Sequence, residues 1–486
     1  MRNQKITFKQ GCFFAVLLYC IAVFVFWLCA KDQLNYRIDK TDMLKLESGI
    51  GEIMPDTVFT QNFRINENGE LIYISFPIAT YSRDNDCDVV FGIYDGNNLL
   101  TEKSINTLGH PDSSNYDVYF DVPVALEKNK IYTISISCAN SFPNNAVTIY
   151  MGKGYEAGKA SVDVDLSPEM QVKANGNPLG YALCCSICTR SNLVLGKYFP
   201  FMATGLGLVF LVYLMYMYDC SKVGRSCLGL KLTSAFSRYK YLLKQLVSRD
   251  FKTKYKRSFL GILWSFFNPL LMMTVQYIVF STLFKSTIPN FALYLMIGIV
   301  CYNFFNECAG MCLSSITGNA SLITKVYVPK YIYPVARMLS SGINLFLSFI
   351  PLLLVMLITH VGFSKSMILL PIPIICLAAF SLGIGMILAT MMVFFRDTQF
   401  LWGVISMIWM YITPIIYPES ILPQEYLFLF KLNPLYHIIR MVRIMFLDGV
   451  SPEPKAYFIS FILSFGTLII GAVIFKKNQD KFVLNL

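Results

Sequence analysis

Uncharged runs of membrane length dominate this chain and leave few folds open to it. Gly11 to Ala30 is a run of 20 residues without a charge, and Tyr198 to Tyr218 is another of 21. Each matches the roughly 20 residues needed to cross about 30 Å of hydrocarbon as an α-helix. The second half consists almost entirely of such runs: Phe259 to Phe284, Phe291 to Lys325 with only Glu307 before its terminal lysine, Leu339 to His360, Met367 to Phe395, Thr398 to Tyr417 and Tyr457 to Phe475. Composition agrees, with 55% hydrophobic and 15% charged residues. The first run follows Lys5 and Lys9 as a signal peptide would. Its apolar stretch is longer than the roughly 7–15 residues of such a leader and lacks a small-x-small cleavage site, so a retained anchor over residues 1–30 is expected.

Residues 31–197 change character completely. They carry 14 Lys/Arg against 21 Asp/Glu, a net charge of −7. Short alternating runs stand at 70–76 (ELIYISF), 88–95 (DVVFGIYD), 115–124 (NYDVYFDVPV), 130–138 (KIYTISISC) and 146–151 (AVTIYM), punctuated by DGNN, GHPDSSN and NSFPNN. Alternation with turn punctuation predicts half-buried strands. Each sheet needs a second layer to bury its apolar face, so a β-sandwich is expected. Tyr73, Phe91, Tyr94, Tyr116, Tyr119 and Tyr132 supply aromatic side chains, many of which alternation sends to the core. Such a domain binds glycans or proteins, or serves packing and assembly; both readings stand.

Residues 219–258 are the opposite, with 11 positive and two negative residues, a net of +9. Lysine and arginine favour the cytoplasmic side, which places this segment inside and residues 31–197 outside. Phe236, Tyr239, Leu243, Leu246, Val247 and Phe251 recur at three- and four-residue spacing beneath a Lys/Arg face, the pattern of a helix lying on the membrane surface. RDFKTKYKRSFLGILW at 249–264 leads that helix directly into a span. Six crossings from an inside start return residues 476–486 to the cytoplasm, where Lys476 and Lys477 fit the same bias. Residues 419–449 are too polar and proline-broken for one clean span; two re-entrant half-helices or an outer-surface hairpin fit them.

Motifs of catalysis or cofactor binding are weak. GYEAGK at 154–159 falls short of a nucleotide loop, because Lys153 stands where the first glycine is needed and Ala160 where a hydroxyl is needed. His110, His360 and His437 are the three histidines, so no metal site is expected. Cys87, Cys138, Cys184, Cys185 and Cys188 lie on the outer side and permit up to two disulfides. The other nine cysteines lie in or near spans and read as small apolar residues.

From residue 235 onward, short motifs follow one another around the spans. Arg249 and Asp250 precede Lys254, Tyr255, Lys256, Arg257 and Ser258, then Leu260, Gly261, Leu263 and Trp264, then Asn268 and Pro269. Phe394, Phe395, Arg396 and Asp397 follow, then Thr413, Pro414, Ile415, Tyr417 and Pro418, then Asn433 and Pro434. In this order they make the 235–486 half resemble the membrane subunit of an ABC-2 type exporter of lipid-linked polysaccharides, the group that moves O-antigen, teichoic acid or capsule-type polymers. The preceding half looks like an extracytoplasmic insertion grafted in front of that core.

The resemblance implies a polytopic α-helical membrane protein of the bacterial inner or cytoplasmic membrane. Eight transmembrane helices are expected, six of them in a permease core at 259–475, with the β-sandwich between the first two at 31–197 and single spans at 1–30 and 198–218. It implies a homodimer with two copies of a separate ABC ATPase, which supplies ATP and Mg chemistry; no cofactor is bound by this chain, no catalytic residue is expected in it, and nucleic acid is not a partner. The cargo implied is a polyprenyl-pyrophosphate-linked glycan, moved outward through a channel between protomers. An ABC-2 exporter of a drug or another lipid, and a membrane glycosyltransferase or ligase, are the competing readings.

Transport then assigns work to residues. Arg249, Lys254, Lys256 and Arg257 either attract the pyrophosphate at the inner leaflet or hold lipid headgroups. Sugars stack on aromatic faces, so Trp264, Phe266, Phe267, Tyr277, Tyr302, Phe304, Phe305, Trp402, Trp409 and Tyr411 are channel candidates, with packing or interfacial roles as the alternative. By the resemblance, coupling to the ATPase falls to Phe251 on the interface helix and to the 314–334 link with Leu322, Ile323, Val326 and Tyr327. Arg396 and Asp397 either join in coupling or pin a helix junction as an ion pair. Glu307, ionisable within a span, either lines the path or pairs with a basic residue.

Overall fold

The computed structural model describes residues 2–40, 46–65, 67–152, 171–225, 227–255, 261, 263–283, 290–326, 328–417 and 427–485. They form two compact units, Leu34–Lys197 and the combination of Met1–Gln33 with Tyr198–Leu486.

The first unit is built from β1 (Tyr36–Lys40), β2 (Ser48–Gly49), β3 (Phe59–Arg64), β4 (Gly69–Ala79), β5 (Asp88–Asp95), β6 (Asn98–Asn106), β7 (Ser114–Leu126), β8 (Ile131–Cys138), β9 (Thr148–Gly152), β10 (Lys173–Ala174), β11 (Asn177–Pro178), β12 (Ala182–Leu183) and β13 (Ser186–Asn192). One antiparallel sheet runs β1-β13-β4-β9-β12, with β2 on β9 and β7 on β4; the other runs β11-β10-β3-β8-β5-β6. Leu71, Ile74, Phe76 and Ile78 of the first sheet face Phe59, Phe63, Phe91, Ile93, Ile134 and Ile136 of the second in one core. Phe76 and Phe91 stack between the layers at 4.9 Å. Burying each such side chain is worth about 1.5–3 kcal/mol, so the sandwich has its own source of stability.

All five expected strands form, as β4, β5, β7, β8 and β9. The DGNN turn closes the β5–β6 hairpin, with Asp95 paired to Asn98. Gly96 sits at φ +59, the left-handed conformation that glycine takes without strain at the first position of a II′ turn. Of the six aromatics, Phe91 and Tyr132 are core residues and Tyr116 packs against that core. Cys87, Cys138, Cys184, Cys185 and Cys188 are buried and no disulfide joins them; burial pushes Cys184 and Cys185 up to about 12.

In the helical unit, α1 (Arg2–Asn35) leads into the sandwich and α2 (Leu195–Val223) leads out of it. They lie side by side, the Tyr19 hydroxyl donating to the Ala203 carbonyl at 2.6 Å and Phe26 meeting Phe199 at 5.7 Å. The chain continues through α3 (Leu228–Tyr255), α4 (Leu263–Leu283), α5 (Phe291–Leu313), α6 (Ala320–Lys325), α7 (Ile332–Ile358), α8 (Pro371–Phe394), α9 (Thr398–Ile412), α10 (Leu427–Lys431), α11 (Pro434–Arg443), α12 (Pro454–Asn478) and α13 (Phe482–Asn485). Among the described residues, six helical stretches are long and apolar enough to cross a membrane: Gly11–Asn35, Leu195–Val223, Phe291–Leu313, Ile332–Ile358, Lys365–Phe394 and Pro454–Asn485. Phe266–Ser281 and Thr398–Ile412 are shorter apolar helices.

The shortness of α9 has a local cause. Thr413 precedes Pro414 and is extended, with ψ 130, because the proline ring excludes the helical conformation from the residue before it. The expected run to Tyr417 therefore finishes as irregular backbone. Elsewhere the helices meet closely: a Cβ on Gly471 of α12 would lie 2.3 Å from the Gly383 carbonyl oxygen of α8. Small residues let membrane helices approach backbone to backbone.

Candidate functional site

The cationic helix α3 is fastened to the spans by charged side chains that all sit at its C-terminal end. Asp250, whose side chain is 5% exposed, stands 2.9 Å from Arg337 of α7 and 3.3 Å from Arg249. Arg249 also donates to the Asn319 side chain at 3.0 Å, the residue that precedes α6. One turn on, Lys254 meets Glu307 of α5 at 2.7 Å, and Asn344 of α7 donates to the same carboxylate at 2.5 Å. The acid within the span is thus partnered by a base, as intramembrane carboxylates require. Of the four entry cations read from the sequence, Arg249 and Lys254 hold carboxylates of this chain, while Lys256 and Arg257 lie outside the described residues.

Residues of α3 line a groove of about 650 Å³ together with residues of α5, α7 and α8. Leu243, Val247 and Phe251 form one wall, and Phe304, Leu339 and Phe346 belong to the facing helices. Lys240 and Lys244 also line it. An apolar cleft beside ammonium groups can hold a hydrocarbon chain and its anionic head together.

The ten aromatics divide into two groups. Tyr302, Phe304, Phe305 and Trp402 are buried; the Tyr302 hydroxyl donates to the Ser406 carbonyl. Phe305 stacks on Phe380 at 5.1 Å and meets Trp409 at 5.3 Å, so these rings close the space between α5, α8 and α9. Trp264, Phe267, Tyr277 and Tyr411 are exposed, with Tyr411 at 56%, and Phe266 is half-buried against Phe267.

Among the coupling candidates, Phe251 lines the groove, Ile323 is buried, Leu322 is half-buried and Val326 is exposed; Tyr327 lies outside the described residues. Arg396 and Asp397 are exposed at the α8–α9 turn, and no ion pair joins them among the described residues. Sequence reasoning missed Phe482, which is fully buried. Its ring lies 6.2 Å from Phe394 and 5.1 Å from Phe475, with the Lys330 ammonium 5.9 Å over it. It thereby ties the segment after α6 to the turn that carries Arg396 and Asp397. Phe482→Ala is expected to cost about 3–5 kcal/mol, the usual cost of emptying a buried phenylalanine site, and limited trypsin digestion checks this by faster cleavage near Lys477 and Lys481.

A second missed residue organises the far end. Arg443 of α11 is 7% exposed and donates to the carbonyls of Pro414 and Ile415 at 2.7 and 2.8 Å. Its guanidinium lies 3.4 Å from the Tyr294 ring centre. The irregular backbone after α9 is satisfied by this buried fork, as non-helical backbone among spans must be. Beside it, the Asn433 side chain caps α11 at Leu435, accepts from Trp409 Nε1 at 3.1 Å and donates to Thr413 Oγ1 at 2.9 Å. The Thr413-Pro414 and Asn433-Pro434 motifs, 20 residues apart in sequence, form one joint.

No group of three or more His, Cys, Asp or Glu residues that could hold a metal occurs among the described residues. A bundle with six membrane-length apolar helices among the described residues, joined in one chain to a β-sandwich, is the architecture of a multi-pass membrane protein. The chain belongs to the ABC-2 type transporter family, related to the O-antigen and polysaccharide export permeases: the profile of ABC-2 type transporters matches residues 241–447. It is 32% identical over 244 residues to the O-antigen export system permease protein RfbA of Klebsiella pneumoniae, covering 50% of this chain and 93% of that protein. The RfbA protein of Myxococcus xanthus is 28% identical over 256 residues, 52% of this chain and 98% of that one. The polysialic acid transport protein KpsM of Escherichia coli is 22% identical over 250 residues, 51% and 97% respectively.

Proposed function

We propose that this chain is the membrane subunit of an ATP-driven exporter that moves a polyprenyl-pyrophosphate-linked polysaccharide outward. The groove between α3 and the spans carries the reading. Its hydrocarbon walls accept part of a polyprenyl tail, and the lining Lys240 and Lys244 attract its pyrophosphate. Arg249 and Lys254, held by Asp250 and Glu307, and then Lys256 and Arg257 continue the run of cations in sequence toward the first permease span. Two chains pair to enclose the polymer path, with eight crossings each, and two separate ATPase subunits bind at the inner face.

Force from the ATPase enters through α6 and the α8–α9 turn, which Phe482 holds as one body. It reaches α3 through Arg249 and Asn319, and α7 through Asp250 and Arg337. The names of the O-antigen and polysialic acid relatives support the cargo class. The test is reconstitution of the chain with its ATPase partner in vesicles holding polyprenyl-linked glycans. ATP-dependent appearance of the glycan on the opposite face is expected, and its loss on reversing Lys240 and Lys244 to glutamate with assembly intact. Transport of an amphipathic drug but no glycan would replace the reading with a drug exporter.

A further inference from the structure

Two of the sandwich's tyrosines do not enter its core. Tyr73 of β4 and Tyr119 of β7 are directly opposite in register, and their rings stand 4.9 Å apart with 43° between planes. Tyr119 is 55% exposed. Directly opposed residues share a face of the sheet, and the next positions along the strands alternate sides. That rule places Asn115, Asp117 and Asp121 of β7 on the same outward face as Tyr119, and all three are exposed. Asp117 lies close enough to Tyr73 to help hold its phenol above the ordinary range, after burial and Cys188. Asp121 is 74% exposed and pairs with Lys103 of β6 at 2.6 Å.

Aromatic rings flanked by carboxylate and amide groups suit one ligand chemistry well. The apolar face of a pyranose covers a tyrosine ring, while its hydroxyls donate to carboxylate and amide oxygens. Two adjacent rings offer a seat comparable in length to a sugar unit and its linkage. Asp117 adjoins this seat, Asp121 is already paired with Lys103, and residues 31–197 carry a net of −7. A polyanionic chain would be repelled along the whole approach.

We propose that the outward face of β4 and β7, centred on Tyr73 and Tyr119, binds an uncharged glycan chain. This rests on the reading of the chain as a glycan exporter and narrows it, because it assigns a neutral polymer to a surface that rejects an acidic one. Tyr119 is the stacking platform, Tyr73 extends it, and Asp117 and Asn115 accept from sugar hydroxyls.

The probe is carrier-free polysaccharide released by mild acid from cells producing the protein and separated on an anion exchanger into neutral and acidic pools. Binding to the full chain in detergent is measured by surface plasmon resonance. The neutral pool is expected to bind, Tyr73→Ala with Tyr119→Ala to weaken it at least tenfold, and Tyr119→Phe to retain it because the stacking face survives. Unchanged thermal unfolding of the alanine variant keeps the comparison interpretable, and single alanine variants replace it if it unfolds. Preferential binding of the acidic pool, equal binding by the alanine variant, or no binding together with an altered oligomeric state would overturn the proposal, the last marking a face for a second copy. ATP-driven glycan export in vesicles is read separately: export without binding removes the platform and leaves the exporter reading, whereas binding without export does the reverse.

Discussion

Replacing Arg443 with methionine is expected to destabilise the helical unit by about 3–6 kcal/mol, since two buried carbonyls lose their partner at roughly 1–3 kcal/mol each and a desolvated cation–π contact is lost as well. The affected carbonyls are those of Pro414 and Ile415, in the segment where Pro414 prevents α9 from continuing. Arg443→Lys is expected to recover little, because an ammonium lacks the planar fork that spans two acceptors and stacks on Tyr294. The midpoint of thermal aggregation in detergent, followed by size-exclusion chromatography, reads the effect. An Arg443→Met protein as heat-stable as the parent would show that other groups satisfy this backbone.

The second large effect is expected at the root of the interface helix. Arg337→Met leaves Asp250 buried without its α7 partner and is expected to cost about 3–5 kcal/mol, as broken buried ion pairs do. Adding Asp250→Leu should return most of that loss, since a matched apolar pair of similar volume is often neutral. The Lys254–Glu307 pair differs because the lysine is 45% exposed; its stabilising contribution is expected to be no more than about 1 kcal/mol. A double-mutant cycle on Asp250 and Arg337 measures the coupling, and purely additive losses would count against a direct pair.

Six of the expected spans were legible among the described residues because membrane crossing writes itself locally, as a charge gap of fixed length. The strands at 88–95 and 130–138 were legible for a similar reason: Val89, Phe91 and Ile93 alternate with residues that face outward. β3 and β6 were missed because their inward positions include polar residues. Gln61 is buried, yet its side chain is satisfied by the Leu183 backbone amide at 2.5 Å, and Thr101 takes an inward position of β6. Neither partnership leaves a mark in the local pattern.

The same limit explains the site residues. Glu307 could be singled out because a carboxylate in an apolar run is costly, and its partner proved to be Lys254, 53 residues earlier. Arg443 lies in a polar segment, where an arginine attracts no notice; its role depends on a proline that interrupts a different helix. Phe482 lies in a tail that reads as soluble, and only the folded chain places its ring against Phe394. Alternation sent many of the sandwich aromatics to the core without saying which, and the bulge between Leu71 and Tyr73 shifts the register, so strict counting from the core residue Leu71 would have buried Tyr73.

The sandwich begins and ends on one antiparallel pair: Tyr36 of β1 lies opposite Asn192 of β13, and β13 in turn flanks β4. The first and last strands to leave the translocation machinery are therefore neighbours, and the central sheet stays open along β4 until synthesis has passed residue 192. Closing so distant a pair is slow, and an unpaired strand edge attracts other chains in the meantime. Biogenesis thus carries a window of exposure between insertion of the first helix and emergence of β13. Shortening that window, by faster elongation or by a holding chaperone on the outer side, should raise the yield of folded protein.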